Sequence, residues 1–194
     1  MGKGGGFERE ISVKLSKWYS GNTRDDIFWR TDSSGGRFTS RKKAGKELEN
    51  QAGDITYRDV IGKPLIDKYN FEFKTGYSIK SKRKDGSVYQ INWCLLDLID
   101  SKQILPMILY FWKQAADTAE QTNKRPILIT RRTNKKAIIV ITKILFNSIV
   151  GYVNNPDFLF IEFPGFGERL ICMGLDDFFT WTSGVDVPVL FERI

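Results

Sequence analysis

Residues 69 to 75 read Y-N-F-E-F-K-T, with apolar and polar side chains in near-perfect alternation. A period of two is the mark of a β-strand with one buried face; a helix would scatter the same residues around its circumference. The strand puts Tyr69, Phe71 and Phe73 on one face and Asn70, Glu72 and Lys74 on the other. A carboxylate and an ammonium are thereby set side by side against aromatic neighbours. Two readings stand. The pair is an ordinary same-face ion pair, worth little at a surface, or it is half of a metal-dependent active site.

The surrounding pattern fixes the fold class. Phe7, Ile11, Leu15, Trp18 and Tyr19 recur at helical spacing, which predicts a helix from Phe7 that ends at Gly21-Asn22. Glu10 and Lys14 are expected to pair along it, and the glycine-rich Gly2 to Gly6 is expected to be flexible. Segments 27–31 and 54–57 are strand-like, and the polar, glycine-rich, basic stretch after Asp32 reads as a long loop. I-G-K-P after Val60 predicts a turn, and K-S-K-R-K-D-G-S at 80–87 a basic loop turning at Asp85-Gly86. Helices are expected over about 91–100 and 107–122. Apolar runs from Pro126, Ala137, Phe158 and Arg169 read as strands, and Asp176 as the N-cap of a short helix. This order predicts an α/β (α+β) domain around a mixed sheet. One domain over 1–194 is expected, with 7–143 as its core and 144–194 completing it with strands and a short helix.

Composition narrows the chemistry. The chain has no histidine, which removes Ser-His and Cys-His triads, His-ligated zinc and histidine general bases. Cys94 and Cys172 form no C-x-x-C and are expected to be buried apolar residues. Chemistry is left to carboxylates, lysines, tyrosines or a hard metal. The net charge of +7 is uneven: residues 1–143 hold 28 Lys+Arg against 16 Asp+Glu, and 144–194 hold 2 against 7. A basic body points to a polyanion partner, against the alternative of a chance surface imbalance. No apolar run approaches the roughly 20 residues of a membrane span, and the first residues do not read as a signal peptide. A cytosolic protein without a membrane partner is expected.

Asp54 follows a glycine at the head of a strand, an apparent hairpin upstream of Glu72. Two carboxylates from neighbouring strands suit Mg²⁺, which takes one or two carboxylates, waters and phosphate oxygens. Lys74 on the same face would stabilise developing negative charge or orient water. E-x-K alone is weak. With the opening G-G-G-F-E-R-E-I-S, then F-W-R-T-D-S-S-G-G-R, G-D-I and F-E-F-K, the sequence resembles the PD-(D/E)XK nuclease superfamily, above all archaeal-type Holliday junction resolvases and related phage endonucleases. F-W-K-Q-A before R-P-I-L-I-T-R-R extends the likeness. The resemblance implies a restriction-endonuclease-like mixed central sheet flanked by helices. It implies Asp54 and Glu72 as metal carboxylates with Glu8 assisting, on the metal or on a bound water, and Lys74 as the catalytic lysine. It further implies Arg9 beside Glu8, Arg30 at a strand end and Ser33 or Ser34 in the loop, Mg²⁺ (or Mn²⁺) as cofactor, and a homodimer on DNA such as a four-way junction. A longer 30–54 segment and the acidic tail depart from the compact resolvases and leave junction specificity open.

The basic loops add candidate phosphate contacts, the source of most DNA affinity: Arg37, Arg41, Lys42, Lys43 and Lys46 in one, Lys82 and Arg83 in the other, and the 131–136 turn. Gln90 and Gln114 are candidate orienting groups. Restriction-type or nicking cleavage of duplex DNA, and a non-catalytic DNA-binding module, are the alternatives.

Overall fold

Helix α1 spans Lys3–Tyr19 and so takes in Gly4, Gly5 and Gly6, which were expected to be flexible. Each glycine costs about 1 kcal/mol in a helix. Against this, Phe7, Ile11, Leu15, Trp18 and Tyr19 are all buried, and each such side chain contributes roughly 1.5–3 kcal/mol. Burial wins, and the helix extends through its weak first turn. The helix ends where Gly21 and Asn22 take positive φ, 61° and 67°. Ser16, fully buried, bonds back to the Ser12 carbonyl and accepts the Phe28 N–H at 2.9 Å. That bond ties strand β1, Phe28–Arg30, to the helix.

The computed structural model describes residues 3–31, 53–77, 80–82, 88–101 and 105–194. In it β1 pairs antiparallel with β2, Ile55–Tyr57. The expected I-G-K-P turn is instead a 3-10 turn, Val60–Gly62, running into helix α2, Lys63–Lys68. Pro64 sits in the first helical turn, where its missing N–H costs nothing. The segment carrying Asp54 is therefore not joined to β3, Tyr69–Tyr77, by a simple hairpin.

A five-stranded mixed sheet in the order β3-β6-β7-β9-β8 forms the centre. β3 runs parallel to β6, Arg125–Arg132; β7 (Ile138–Thr142), β9 (Arg169–Gly174) and β8 (Phe160–Pro164) follow in antiparallel pairings. The β3-to-β6 crossover holds a small hairpin, β4 (Lys80–Lys82) with β5 (Val88–Gln90), and helix α3, Met107–Glu120. Part of the expected basic loop is thus paired strand. The register sets the two cores. Phe71 and Phe73 lie beside Ile127 and Ile129 on the α1 face. Leu128, Val140, Leu170 and Cys172 face α3 through Ile108, Leu109, Phe111, Trp112 and Ala115.

Other expectations are also corrected. The helix expected over 91–100 shrinks to a 3-10 turn, Leu96–Leu98. Asn92 accepts the Cys94 N–H through Oδ1 at 2.9 Å and donates to Asp97 at 2.7 Å, a local bonding pattern that competes with helix. Cys94 is exposed there, against expectation; Cys172 is buried. Helices α4 (Lys143–Val150) and α6 (Val187–Arg193) were not anticipated; Thr142 caps the first through the Leu145 N–H and Asp186 the second through the Val189 N–H. Asp176 is no cap. Helix α5, Leu175–Thr182, follows Gly174, and Asp176 in its first turn pairs with Lys14 at 3.0 Å. Glu10 in turn binds Arg131, so the expected Glu10–Lys14 pair does not form. Among the described residues, no helix is long and apolar enough to cross a membrane.

Candidate active site

Gly53 makes the site possible. Its φ is +85°, and a Cβ there would lie 2.6 Å from Asn70 Oδ1 and 2.9 Å from the Phe71 carbonyl oxygen. Only glycine tolerates both the backbone and the approach. The next residue is thereby pressed onto β3: the Asp54 N–H donates to the Phe71 carbonyl at 2.8 Å, and the Phe73 N–H donates to Asp54 Oδ2 at 2.6 Å. From the other side, the Thr31 N–H reaches the Asp54 carbonyl at 3.0 Å and the Thr31 hydroxyl the Gly53 carbonyl at 2.9 Å. The aspartate is pinned between the end of β1 and the backbone of β3.

Glu72 and Lys74 share a face of β3, as the alternation predicts, with Lys74 Nζ 2.5 Å from Glu72 Oε1 and both side chains mostly buried. Burial pushes the Asp54 carboxyl up to about 7, reinforced by the charge of Glu72 and then of Glu8, and opposed by the Phe73 amide and Lys74. Glu72 and Lys74 from β3 and Glu8 from α1 thus all act electrostatically on Asp54.

Glu8 lies in the second turn of α1, beyond the first-turn position where a helix dipole favours carboxylates. Its Oε2 is buried without a hydrogen-bond partner, and Arg30 Nη1 is 3.8 Å away. Arg30 fits there because Gly5 gives it room; a Cβ on Gly5 would be 2.8 Å from Nη1. Arg9 is half-buried on the same helix. Arg131 is committed elsewhere, its Nη1 donating to both carboxylate oxygens of Glu10 at 2.8 and 2.9 Å and its guanidinium lying over the Phe7 ring at 4.5 Å. Arg132 lies 5.7 Å from the Trp93 ring, while Lys135 and Lys136 are exposed. Gln114 is exposed on α3. Lys82 and Gln90 fall in β4 and β5, where only the backbone is described. Ser33, Ser34, Arg37, Arg41, Lys42, Lys43, Lys46 and Arg83 lie outside the described residues.

Two buried polar residues of this region were not among the site candidates the sequence offered. Asn70, 1% exposed, has both amide atoms unpartnered, and Thr130, also 1% exposed, has an unpartnered hydroxyl. The signal for Thr130 is a hydroxyl ending the apolar run I-L-I-T.

Among the described residues no group of three acidic or cysteine side chains is gathered closely enough to cage a metal ion. What is present fits a sparser arrangement. Two all-oxygen carboxylates of like charge lie close together, one of them strained toward protonation, with a third orphaned carboxylate oxygen nearby. A hard cation that takes two carboxylates, waters and phosphate oxygens matches that donor set.

The family described as "Phage putative PDDEXK endonuclease" matches residues 1–163 of the chain. No curated protein and no solved structure gives a significant match.

Proposed function

The chain belongs to the phage putative PDDEXK endonuclease family, and we propose on that premise that it is a Mg²⁺-dependent DNA endonuclease acting on branched DNA such as four-way junctions as a homodimer. Mn²⁺ would substitute for Mg²⁺. The observation that carries this reading is the buried Asp54 carboxyl, pinned to β3 and driven up to about 7 by burial and the charges of Glu72 and Glu8. A structural aspartate gains nothing from such neighbours; a carboxylate awaiting a cation does.

Asp54 and Glu72 would hold the ion, which when bound neutralises phosphate charge and makes a bound water easier to deprotonate. Glu8 presents its unpartnered Oε2 as an acceptor for a water. Lys74 donates to a phosphoryl oxygen or holds the attacking water. Arg30 keeps Glu8 in place. The excess of basic residues over 1–143 attracts the DNA backbone.

The test compares wild type, Asp54→Asn and Lys74→Met with Mg²⁺ on a synthetic four-way junction, linear duplex and single-stranded DNA. Metal-dependent junction cleavage by wild type, lost in both variants, is expected. Equal activity in all three would sink the site assignment. Duplex cleavage without junction preference would favour a restriction-type or nicking enzyme, and wild-type binding of all three DNAs without cleavage a non-catalytic module. Sedimentation tests the homodimer.

A further inference from the structure

We propose that Trp29 and Arg58 form a shelf on which an unpaired nucleobase of the DNA stacks, favouring branched or frayed DNA over paired duplex. Resting on the nuclease reading above, this adds the contact that selects its substrate. Phe28 and Ile55 are buried, so Trp29 and Thr56, paired across β1 and β2, rise from the opposite face of those strands. Arg58 follows just past β2, its N–H bonded to the Ile27 carbonyl at 2.8 Å. Two residues beyond Thr56, it is a diagonal neighbour of Trp29. Its guanidinium carbon lies over the Trp29 ring, 4.2 Å from the centre.

The adjacent carboxylate is already taken. Asp59 accepts from Arg24 Nη1 at 2.5 Å and from the Ile61 N–H at 3.0 Å. Among the described residues no carboxylate pairs with Arg58, which is exposed and rests on the indole alone. With one face of the guanidinium held by cation–π attraction, the exposed side chain presents the other to solvent. A guanidinium plane is a stacking surface for a base that has left its helix. A base inside duplex has neighbours on both faces, whereas one at a branch or an open end has a face free. A phosphate contact needs only the charge and the N–H edge; the indole backing adds what stacking needs, a plane held still. The place fits too. Trp29 precedes Arg30, which is 3.8 Å from Glu8, and Thr56 lies two residues, about 7 Å of strand, from Asp54. The shelf borders the carboxylates of the site.

The experiment measures binding of the full chain in EDTA to two DNAs: a duplex with a splayed arm carrying 2-aminopurine at the fork, and the same duplex fully paired. Wild type, Arg58→Lys, Trp29→Leu, Trp29→Phe and Arg193→Ala are compared by anisotropy and by quenching of the 2-aminopurine. Arg58→Lys keeps the charge and loses the plane; it should bind the splayed DNA about tenfold more weakly, lose the quenching and bind paired duplex like wild type. Trp29→Leu should act in the same direction and Trp29→Phe should restore the quenching. Arg193→Ala, on exposed α6, should bind both DNAs like wild type. Wild-type binding and quenching in Arg58→Lys, or an equal loss on both DNAs, which marks a phosphate contact, would overturn the proposal. Should Trp29→Leu fail to melt cooperatively, the exposed Arg58→Lys decides alone. The expected binding pattern without cleavage of any DNA in Mg²⁺ would support the shelf and refute the nuclease reading alone. Mg²⁺-dependent cleavage with Arg58→Lys unchanged in binding would refute the shelf alone, and a wild-type chain that binds neither DNA would refute both.

Discussion

Asp54→Asn should make the metal-free protein more stable while ending its activity. In the folded chain the Asp54 carboxyl titrates at about 7 instead of 3.8. A raised carboxyl means that the folded state holds its proton more tightly than the unfolded chain. Between pH 4 and 7 the folded state therefore binds more protons, and stability falls as pH rises. Each tenfold change in proton affinity is worth about 1.4 kcal/mol, so the penalty at pH 8 is about 4 kcal/mol and at pH 4 under about 1. Asparagine is nearly isosteric, retains a carbonyl oxygen for the Phe73 N–H and carries no charge to be crowded by Glu72 and Glu8. In EDTA at pH 8 the variant should melt roughly 8–16 °C above wild type, and the gap should nearly close at pH 4. Mg²⁺ should raise the melting temperature of wild type at pH 8 and leave the variant unmoved. A variant that melts at or below wild type at pH 8, or a gap that does not shrink toward pH 4, would refute the claim that burial and neighbouring charge strain the Asp54 carboxylate.

Gly53→Ala forces a Cβ into Asn70 and Phe71 at positive φ; a loss of roughly 2–3 kcal/mol in urea denaturation is expected, with nuclease activity lost too. Lys74→Met should lower Mg²⁺-dependent cleavage by about 10²–10³ in single-turnover assays and leave Mn²⁺ affinity no weaker, since a competitor for Glu72 is gone. Thr182→Val removes the buried acceptor of the Trp18 indole N–H, 2.8 Å away; about 1–3 kcal/mol should be lost on denaturation, with no effect on cleavage beyond that of stability.

What was legible in the sequence was what strong periodicity or a rigid pairing rule dictates. The alternation at 69–75 placed Phe71 and Phe73 in the core and Glu72 beside Lys74, and the α1 stripe placed Phe7, Ile11 and Leu15 correctly. Short elements that owe their form to side-chain capping were missed. Leu145, Phe146 and Ile149 carry helical spacing behind a Thr142 cap, yet their apolar character blends into the preceding strand. Tertiary partners were also out of reach. Nothing local says that Glu10 will choose Arg131 over Lys14, because Arg131 is 121 residues away in sequence and only the fold brings it to α1. In the site, the face shared by Glu72 and Lys74 was readable. The clamp that Gly53 and the Phe73 amide make around Asp54, and the stranded hydroxyl of Thr130, exist only once β3 and β6 are laid side by side.

The bond from the Phe73 N–H to Asp54 Oδ2 has a bearing on aggregation as well as on chemistry. β3 is the outermost strand of its sheet, and an outermost strand with open amides is a template for a stray chain. Asp54 occupies two backbone positions of that strand, taking the place of a sixth strand with one carbonyl contact and one carboxylate. An alanine at 54 would remove the acid and uncover the amide together, so precipitation of an Asp54→Ala protein would say nothing about catalysis. Asparagine keeps the edge closed.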